Sequence, residues 1–375
     1  MNILQYGSLA GSVGGPAHSL YLLSRGLREA GISCEVLMPE LTAGDKLYGT
    51  EVPVRFLPRS YGHFQYSFGI QHHLDSMERP DICHVHGVWQ YPNHALCVYA
   101  RRHGIPYLIS PRGMLYKQGI DGHSKLLKHL VLFFWQNRDL AAADCLHATC
   151  NEELQVLRDM GLHNPVAVIP NAVGLTGGVL PPTPPADRFR VCYLGRLHPR
   201  KHVESLIRAF AAVALPDSEL VIIGDGDEGY KRRLHRECGH LGLNNVRFAG
   251  FLYDGDKRTA LRRMSLLVVP SDFENFGNVV VEALAEGVPV AASRGTPWQE
   301  LERHHCGWWI DNSTDEIARI LRTASSLSRE ERIAMGEAGQ KLLSERYSVE
   351  RTTAQWRAVY LWLSGGGERP DSIFD

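Results

Sequence analysis

Two glutamates eight residues apart, Glu274 and Glu282, stand in SDFENFGNVVVEALAEGVPVAAS, the strongest chemical constellation in the chain. Glu274 falls in the loop after the apolar run LLVVPS, and Glu282 lies about one turn into the helix that follows. Placed so, Glu282 accepts the two hydrogen bonds that a vicinal diol donates. Gly277, near the helix start, lets a ligand touch the backbone, and the unpaired amides there favour an anionic group. Two glutamates at this spacing alone are ordinary; the whole string is not.

Other candidates carry weaker signals. GDGDEG, from Gly224 to Gly229, follows the strand-like LVII and matches a dinucleotide fingerprint. The next strand ends without the ribose-binding acid, so a tight strand–helix turn beside another nucleotide is the better reading. Asp225 with Asp227, and Asp254 with Asp256, imitate paired metal carboxylates, yet Asp-Gly is also a common turn dipeptide. Among the eighteen histidines neither His72-His73 nor His304-His305 has the helical i,i+4 pairing of a zinc site, and there is no H-E-x-x-H. His84 and His86 end the short apolar strand ICHVHG, where alternation puts both rings on one face near the C-terminal edge of a sheet. For His86 a structural and a functional role weigh equally. Eight scattered cysteines without C-x-x-C read as buried free thiols in a reducing compartment.

The elements that must position these residues alternate between strand and helix. NILQYG, CEVLMP, VRFLP, ICHVHG, YLISP, CLHATC and VAVIPN read as strands, with helices over PAHSLYLLSRGLREAG, HALCVYARRHG and EELQVLRDMG. The rhythm implies a parallel sheet covered on both faces. It stops at Gly174, where GLTGGVLPPTPPADRF reads as a linker, and restarts with FRVCYLGR, ELVIIGDG, VRFAGF, LLVVPS and PVAAS separated by helical stretches. The expected domains are 1–174, a linker at 175–188, 189–347, a C-terminal helix at 348–363 returning to the first domain, and a flexible tail at 364–375. The 375 residues suit two domains, and 40 Lys and Arg against 41 Asp and Glu leave no basic surplus for nucleic acid. No apolar run is long enough to span a membrane, and the N-terminus reads as a first strand rather than a leader. The expected location is cytoplasmic, with the inner membrane face as an alternative.

The string from Pro270 to Val290 resembles the E-x7-E motif of the retaining glycosyltransferases of family 4. GSVGGPAHSL is similar to that family's N-terminal glycine loop, and YLGRLHPRKH to its G-R-x-x-x-x-K-G segment. PDICHVHG, IPYLISPRGML, AVIPNAV and RGTPWQEL follow in the family's order, so the resemblance covers nearly the whole chain. It implies the GT-B fold: α/β, two Rossmann-like doubly wound domains facing each other across a cleft.

The resemblance also implies roles. Arg196 and Lys201 grip the diphosphate of a nucleotide sugar, Glu282 takes the ribose hydroxyls, and Glu274 the hydroxyls of the transferred sugar. Amides of Phe276, Gly277, Asn278 and Val279 surround sugar and phosphate. Gly14 and Gly15 approach from the first domain, Gly224 belongs to the donor site, and the backbone near Leu252 reads the base. UDP and GDP both remain open as the nucleotide. The reaction is transfer with retention to a glycan or lipid-linked acceptor in polysaccharide or glycolipid assembly, with neither cofactor nor metal. Arginine and lysine do the work of a cation. A binding module without transfer activity, and a phosphorylase or epimerase on the same fold, are the alternatives.

Two positions depart from the family. Arg112 replaces the histidine of P-H-G-M, and a guanidinium cannot shuttle a proton at neutral pH. That leaves His86 as the titratable candidate, with Arg112 contacting a phosphate or the sugar. His202 replaces the glycine after Lys201. The basic–apolar stretch KLLKHLVLFFWQNRDL, Lys125 to Leu140, is read either as a packed helix or as a peripheral membrane contact.

Overall fold

The structure, a computed structural model, describes residues 1–42, 44–49, 51–58, 60–62, 64–120, 125–174 and 188–375. The expected linker falls outside the described residues, except for Gly174 before it and Arg188 at its end. The chain divides into two compact units, 1–174 with 347–375, and 175–346.

In the first unit, parallel strands β1 (Asn2–Tyr6), β2 (Ser33–Met38) and β3 (Val54–Phe56) run outward in chain order. A small antiparallel hairpin follows, β4 (Ser60–Tyr61) with β5 (Tyr66–Ser67). The main sheet then resumes on the other side of β1 with β6 (Ile82–His86), β7 (Tyr107–Ser110), β8 (Cys145–Ala148) and β9 (Val166–Val168). The order reverses between β1 and β6, which makes that junction the switch point where open α/β sheets take ligands. Apolar side chains fill both faces. One cluster centres on Leu4, Tyr6, Leu96 and Leu146, and the other on Ile3, Leu27, Leu108 and Trp356.

Trp356 belongs to the helix Val349–Leu363, which joins the second cluster through Val359 and Tyr360 as well. Ser348 caps this helix, accepting from Arg351 N–H at 3.3 Å. It packs on the helix Gly15–Glu29, where Gly26 permits the close approach: a Cβ there would stand 2.2 Å from Thr353 Oγ1.

The last residues correct an expectation. The segment 364–375 is not a frayed tail, because Ile373–Phe374 forms a strand antiparallel to β9. Burial of Ile373 and the hydrogen bond from Arg158 Nη2–H to the Phe374 carbonyl at 3.1 Å hold it there.

The second unit repeats the plan with six parallel strands, β10 (Phe189–Leu194), β11 (Ser218–Ile223), β12 (Val246–Gly250), β13 (Leu266–Val269), β14 (Val290–Ser293) and β15 (Gly307–Ile310). Their spatial order is β12-β11-β10-β13-β14-β15, with the switch point between β10 and β13. Both sheets follow from strands that are apolar on both faces, such as the wholly buried LLVV of β13. The periodic reading passed over β15 and the helix Thr314–Ser326, whose Ser313 cap accepts from Glu316 N–H. Each sheet has the doubly wound Rossmann-like order. All eight cysteines are free and seven are buried.

Candidate functional site

In the second unit the predicted residues gather on loops that leave the C-terminal ends of the strands flanking the switch point. Beyond β10 the chain carries Arg196 and Lys201, and beyond β13 it carries Glu274. Lys201 Nζ and Glu274 Oε1 form a short ion pair, although 73 residues separate them. Ser271 Oγ–H donates to the same carboxylate oxygen at 2.8 Å. Two backbone bonds fix these loops: Asp272 N–H to the Arg200 carbonyl, 2.9 Å, and Glu274 N–H to the Gly295 carbonyl, 2.9 Å. The Arg196 side chain is exposed and has no ion-pair partner among the described residues. The loops therefore present two cations and a carboxylate to one region, the arrangement that an anion bearing hydroxyl groups requires.

Glu282 lies in the helix Asn278–Ala285, where Lys257 Nζ meets its Oε2 at 3.0 Å. Sequence reasoning missed Lys257, which sits in no recognisable motif. Gly277 caps the helix with φ of +77°, a conformation that other residues adopt only under strain, so the glycine sets the helix start. Asn278 and Val279 open the first turn. Phe276 is buried with its ring 5.4 Å from that of Trp298, and its carbonyl accepts from the indole N–H.

Gly224 is explained by packing. A Cβ there would stand 1.9 Å from the Gly195 carbonyl oxygen, and one at Gly226 would be 2.1 Å from that of Leu197. These glycines let the loops after β10 and β11 touch backbone to backbone. Gly224 N–H continues the seam to the Gly250 carbonyl at 2.8 Å, just before Leu252. The aspartates between them are already engaged. Asp227 caps the helix Glu228–His240, and Asp225 pairs with Lys231 at 2.6 Å, which pulls its carboxyl below the usual range. Among the described residues, no three His, Cys, Asp or Glu are placed to hold a metal ion.

His202 has φ of +49°, so the glycine expected at this position answers a left-handed backbone. Its ring reaches across, with Nε2 2.7 Å from Asp272 Oδ1, and Asn312 Nδ2–H donates to that oxygen at 3.0 Å.

In the first unit, Gly14 (φ +72°) and Gly15 begin the 15-residue helix that follows β1. His86 ends β6 on the other side of the switch point. Arg112, in the turn after β7, donates through Nη2 and Nε to His86 Nδ1 at 2.8 and 3.2 Å. A guanidinium only donates, so Nδ1 is an acceptor and the proton resides on Nε2, which donates to Gln5 Oε1 at 2.9 Å. Burial, His84 and Arg112 together hold the ring well below its ordinary pKa. Both nitrogens are committed within the protein. The proton shuttle expected of His86 thus has no free nitrogen to act through, and the ring instead orients Arg112.

A second chain of bonds runs beside it. His147 Nε2–H donates to the Ile169 carbonyl at 2.8 Å, so its Nδ1 accepts from Ser110 Oγ–H at 2.7 Å. Ser110 Oγ in turn accepts from His84 Nε2–H, and His84 Nδ1 accepts from Tyr360 O–H, each at 2.7 Å. Every ring is neutral. Burial pushes His147 down to about 3 and His84 well below its ordinary value. Gln5 in NILQYG and His147 in CLHATC, polar residues in apolar strands like His84 and His86 in ICHVHG, were the sequence signals for such a buried network.

The stretch Lys125–Leu140 is a helix whose middle, Leu132–Gln136, widens to a π turn. Val131 and Gln136 point inward, while Leu127, Leu130, Phe133 and Phe134 are exposed, the two phenylalanines at 79% and 67%. Among the described residues, no helix is long and apolar enough to cross a membrane.

Residues 14–172 match the family model described as glycosyl transferase 4-like domain, and residues 181–342 the one described as glycosyl transferases group 1. The chain is 31% identical over 219 residues, 56% of its length, to a lipopolysaccharide core biosynthesis glycosyltransferase of Rhizobium meliloti, LpsE. It is 38% identical over 187 residues, 48% of its length, to a phosphatidyl-myo-inositol mannosyltransferase of Mycobacterium leprae. These matches span 62% and 48% of the relatives' own lengths, less than two thirds of each. Among solved structures, Anabaena Alr3699/HepE in complex with UDP and glucose superposes with a TM-score of 0.75 at 21% identity, covering 96% of this chain and 99% of that one. That likeness establishes the fold as GT-B.

Proposed function

We propose, from the premise that the chain belongs to the family 4-type GT-B glycosyltransferases, that it moves a sugar from a nucleotide diphosphate to a sugar or lipid-linked acceptor, with retention and without a metal. The observation that carries this reading is the meeting of Lys201 with Glu274, beside exposed Arg196, at the switch point of the second sheet. Here the diphosphate displaces the lysine from Glu274, which frees the carboxylate for sugar hydroxyls. Glu282 holds the ribose diol. As the bond from the anomeric carbon to the phosphate oxygen breaks, its electron pair stays with the phosphate, and Arg196 and Lys201 balance the growing charge. The acceptor oxygen bonds to the same face of that carbon, and its proton passes to the departing phosphate. No protein base is needed, consistent with a His86 whose nitrogens are both engaged. Relatives named for lipopolysaccharide core and phosphatidylinositol glycans support an acceptor in surface polysaccharide or glycolipid assembly.

The test begins with thermal shifts by UDP, GDP, dTDP and ADP and their sugars, then transfer by the purified chain in EDTA. We expect full activity without metal, and Lys201→Ala and Glu282→Ala each to lower kcat/KM at least tenfold, about 1.4 kcal/mol. Near-normal rates in both variants overturn the site, and an absolute metal requirement overturns the charge assignment. Dependence on free orthophosphate favours a phosphorylase, and binding without transfer a module without chemistry.

A further inference from the structure

Arg112 is an unusual cation. It occupies the turn Pro111–Gly113 beyond β7, with φ of +53°, and Gly113 follows at +77°. That turn is held from below: Glu153 Oε1 accepts from Gly113 N–H at 2.6 Å, and its Oε2 accepts from Thr149 N–H and Oγ–H at 2.8 and 2.9 Å. The strained backbone throws the guanidinium back over the C-terminal edge of the sheet onto His86.

Of its five N–H groups, two go to one nitrogen of a neutral ring. Among the described residues no carboxylate lies within ion-pair distance of it, and Glu153, whose field acts on it, already serves the backbone donors above. Withdrawal from water lowers its pKa to about 10, which still leaves it charged at neutral pH. It lines a narrow recess with Ser19, Asn171 and Thr352, and remains partly exposed. A cation partly stripped of water, aimed by a dedicated partner and lacking a counterion, is unfavourable unless an anion completes it.

We infer that Arg112, oriented by His86, is an anion-recognition element, so that one of the two sugars this protein handles carries a carboxylate or phosphate that meets its free N–H groups. Bidentate geometry makes arginine the natural residue for either group. His86 is then a positioning residue, and the chemistry selected at this edge differs from that of relatives with a neutral-capable histidine at the same place. The inference rests on the transferase reading for the identity of the two sugars.

The test uses the full chain and calorimetric titration in two arms. The donor arm compares UDP-glucose with UDP-glucuronate and GDP-mannose with GDP-mannuronate. The acceptor arm compares glucose with glucuronate and glucose 6-phosphate, with the nucleotide that binds held saturating, or without nucleotide if none binds. In one arm the anionic member should bind at least tenfold more tightly. Arg112→Met and Arg112→His should abolish that preference and Arg112→Lys keep part of it, with melting curves confirming which variants fold. His86→Gln should weaken the preference as well.

Equal binding of anionic and neutral members in both arms overturns the inference, as does a preference that survives Arg112→Met or Arg112→His in a folded protein. A preference lost in Lys201→Ala but kept in folded Arg112 variants also overturns it, since the anion would then sit at the diphosphate loop. Failure of every nucleotide sugar to bind overturns the transferase reading instead, and leaves an Arg112-dependent preference in the acceptor arm standing.

Discussion

At residue scale, His202 shows how a departure from a family pattern acquires physical content. A left-handed backbone costs a side-chain-bearing residue roughly 1–2 kcal/mol, and its half-exposed contact with Asp272 returns about 0.2–1 kcal/mol. His202→Gly should therefore leave stability unchanged or raise it by up to about 1 kcal/mol in urea unfolding. His202→Val keeps the strain, adds β-branching and loses the contact, so it should cost about 1–2 kcal/mol. A His202→Gly protein markedly weaker than wild type would show that the ring, not the backbone, decides this position. Lys201 and Glu274 teach the complementary lesson: each neutralises the other before any ligand arrives, so neither is a bare charge in the folded chain.

At element scale, two helices make commitments that a segment alone does not reveal. Gly26 gives up about 1 kcal/mol of helix propensity relative to Ala, yet the space beside Thr353 leaves no room for a methyl group. Gly26→Ala should therefore destabilise the first unit by about 1–3 kcal/mol, the usual cost of overpacking. Adding Thr353→Ala should recover part of the loss, and a double-mutant cycle measures the coupling. The helix through Lys125–Leu140 commits its outer face instead. Its π turn exposes Phe133 and Phe134 beside Leu127 and Leu130. We propose this face as a peripheral membrane contact suited to a lipid-linked acceptor. Phe133→Ser with Phe134→Ser should cut co-sedimentation with anionic vesicles at least tenfold while leaving the melting temperature within a few degrees. Absence of wild-type binding at low salt removes the idea.

At the scale of the whole molecule, the two units differ in how they will meet acid. The first buries His84, His86 and His147 as neutral rings in two neighbouring chains of bonds, Gln5–His86–Arg112 and His147–Ser110–His84–Tyr360. Their pKa values lie below the unfolded value of about 6.5, so the unfolded chain binds more protons beneath that pH. The stability that they contribute is whole above about 6.5 and is lost as pH falls below it; for His147 the loss continues toward about 3, at up to about 1.4 kcal/mol per pH unit, and His84 and His86 act in the same direction. Hydrogen exchange at pH 7 and pH 5 should show protection falling first in β6, β7, β8 and the helix Val349–Leu363. Equal loss in both units would contradict this account.

By itself the sequence determined what is local. Apolar runs of strand length alternating with amphipathic helices announce two parallel α/β sheets, because side-chain periodicity is a property of neighbouring residues. The motifs around Lys201, Glu274 and Glu282 were legible for the same reason, since each lies within one loop or one helix. Apart from the Ser313-capped helix Thr314–Ser326, the pairings that the periodic reading missed had no local mark. Lys257 finds Glu282 from another helix, Tyr360 reaches His84 across 276 positions, and Ile373 turns the end of the chain into a strand. Tertiary structure alone decided those pairings, and with them the protonation of the buried rings. A histidine's tautomer is set by the donors packed against it, and those donors come from strands and helices that only folding brings together.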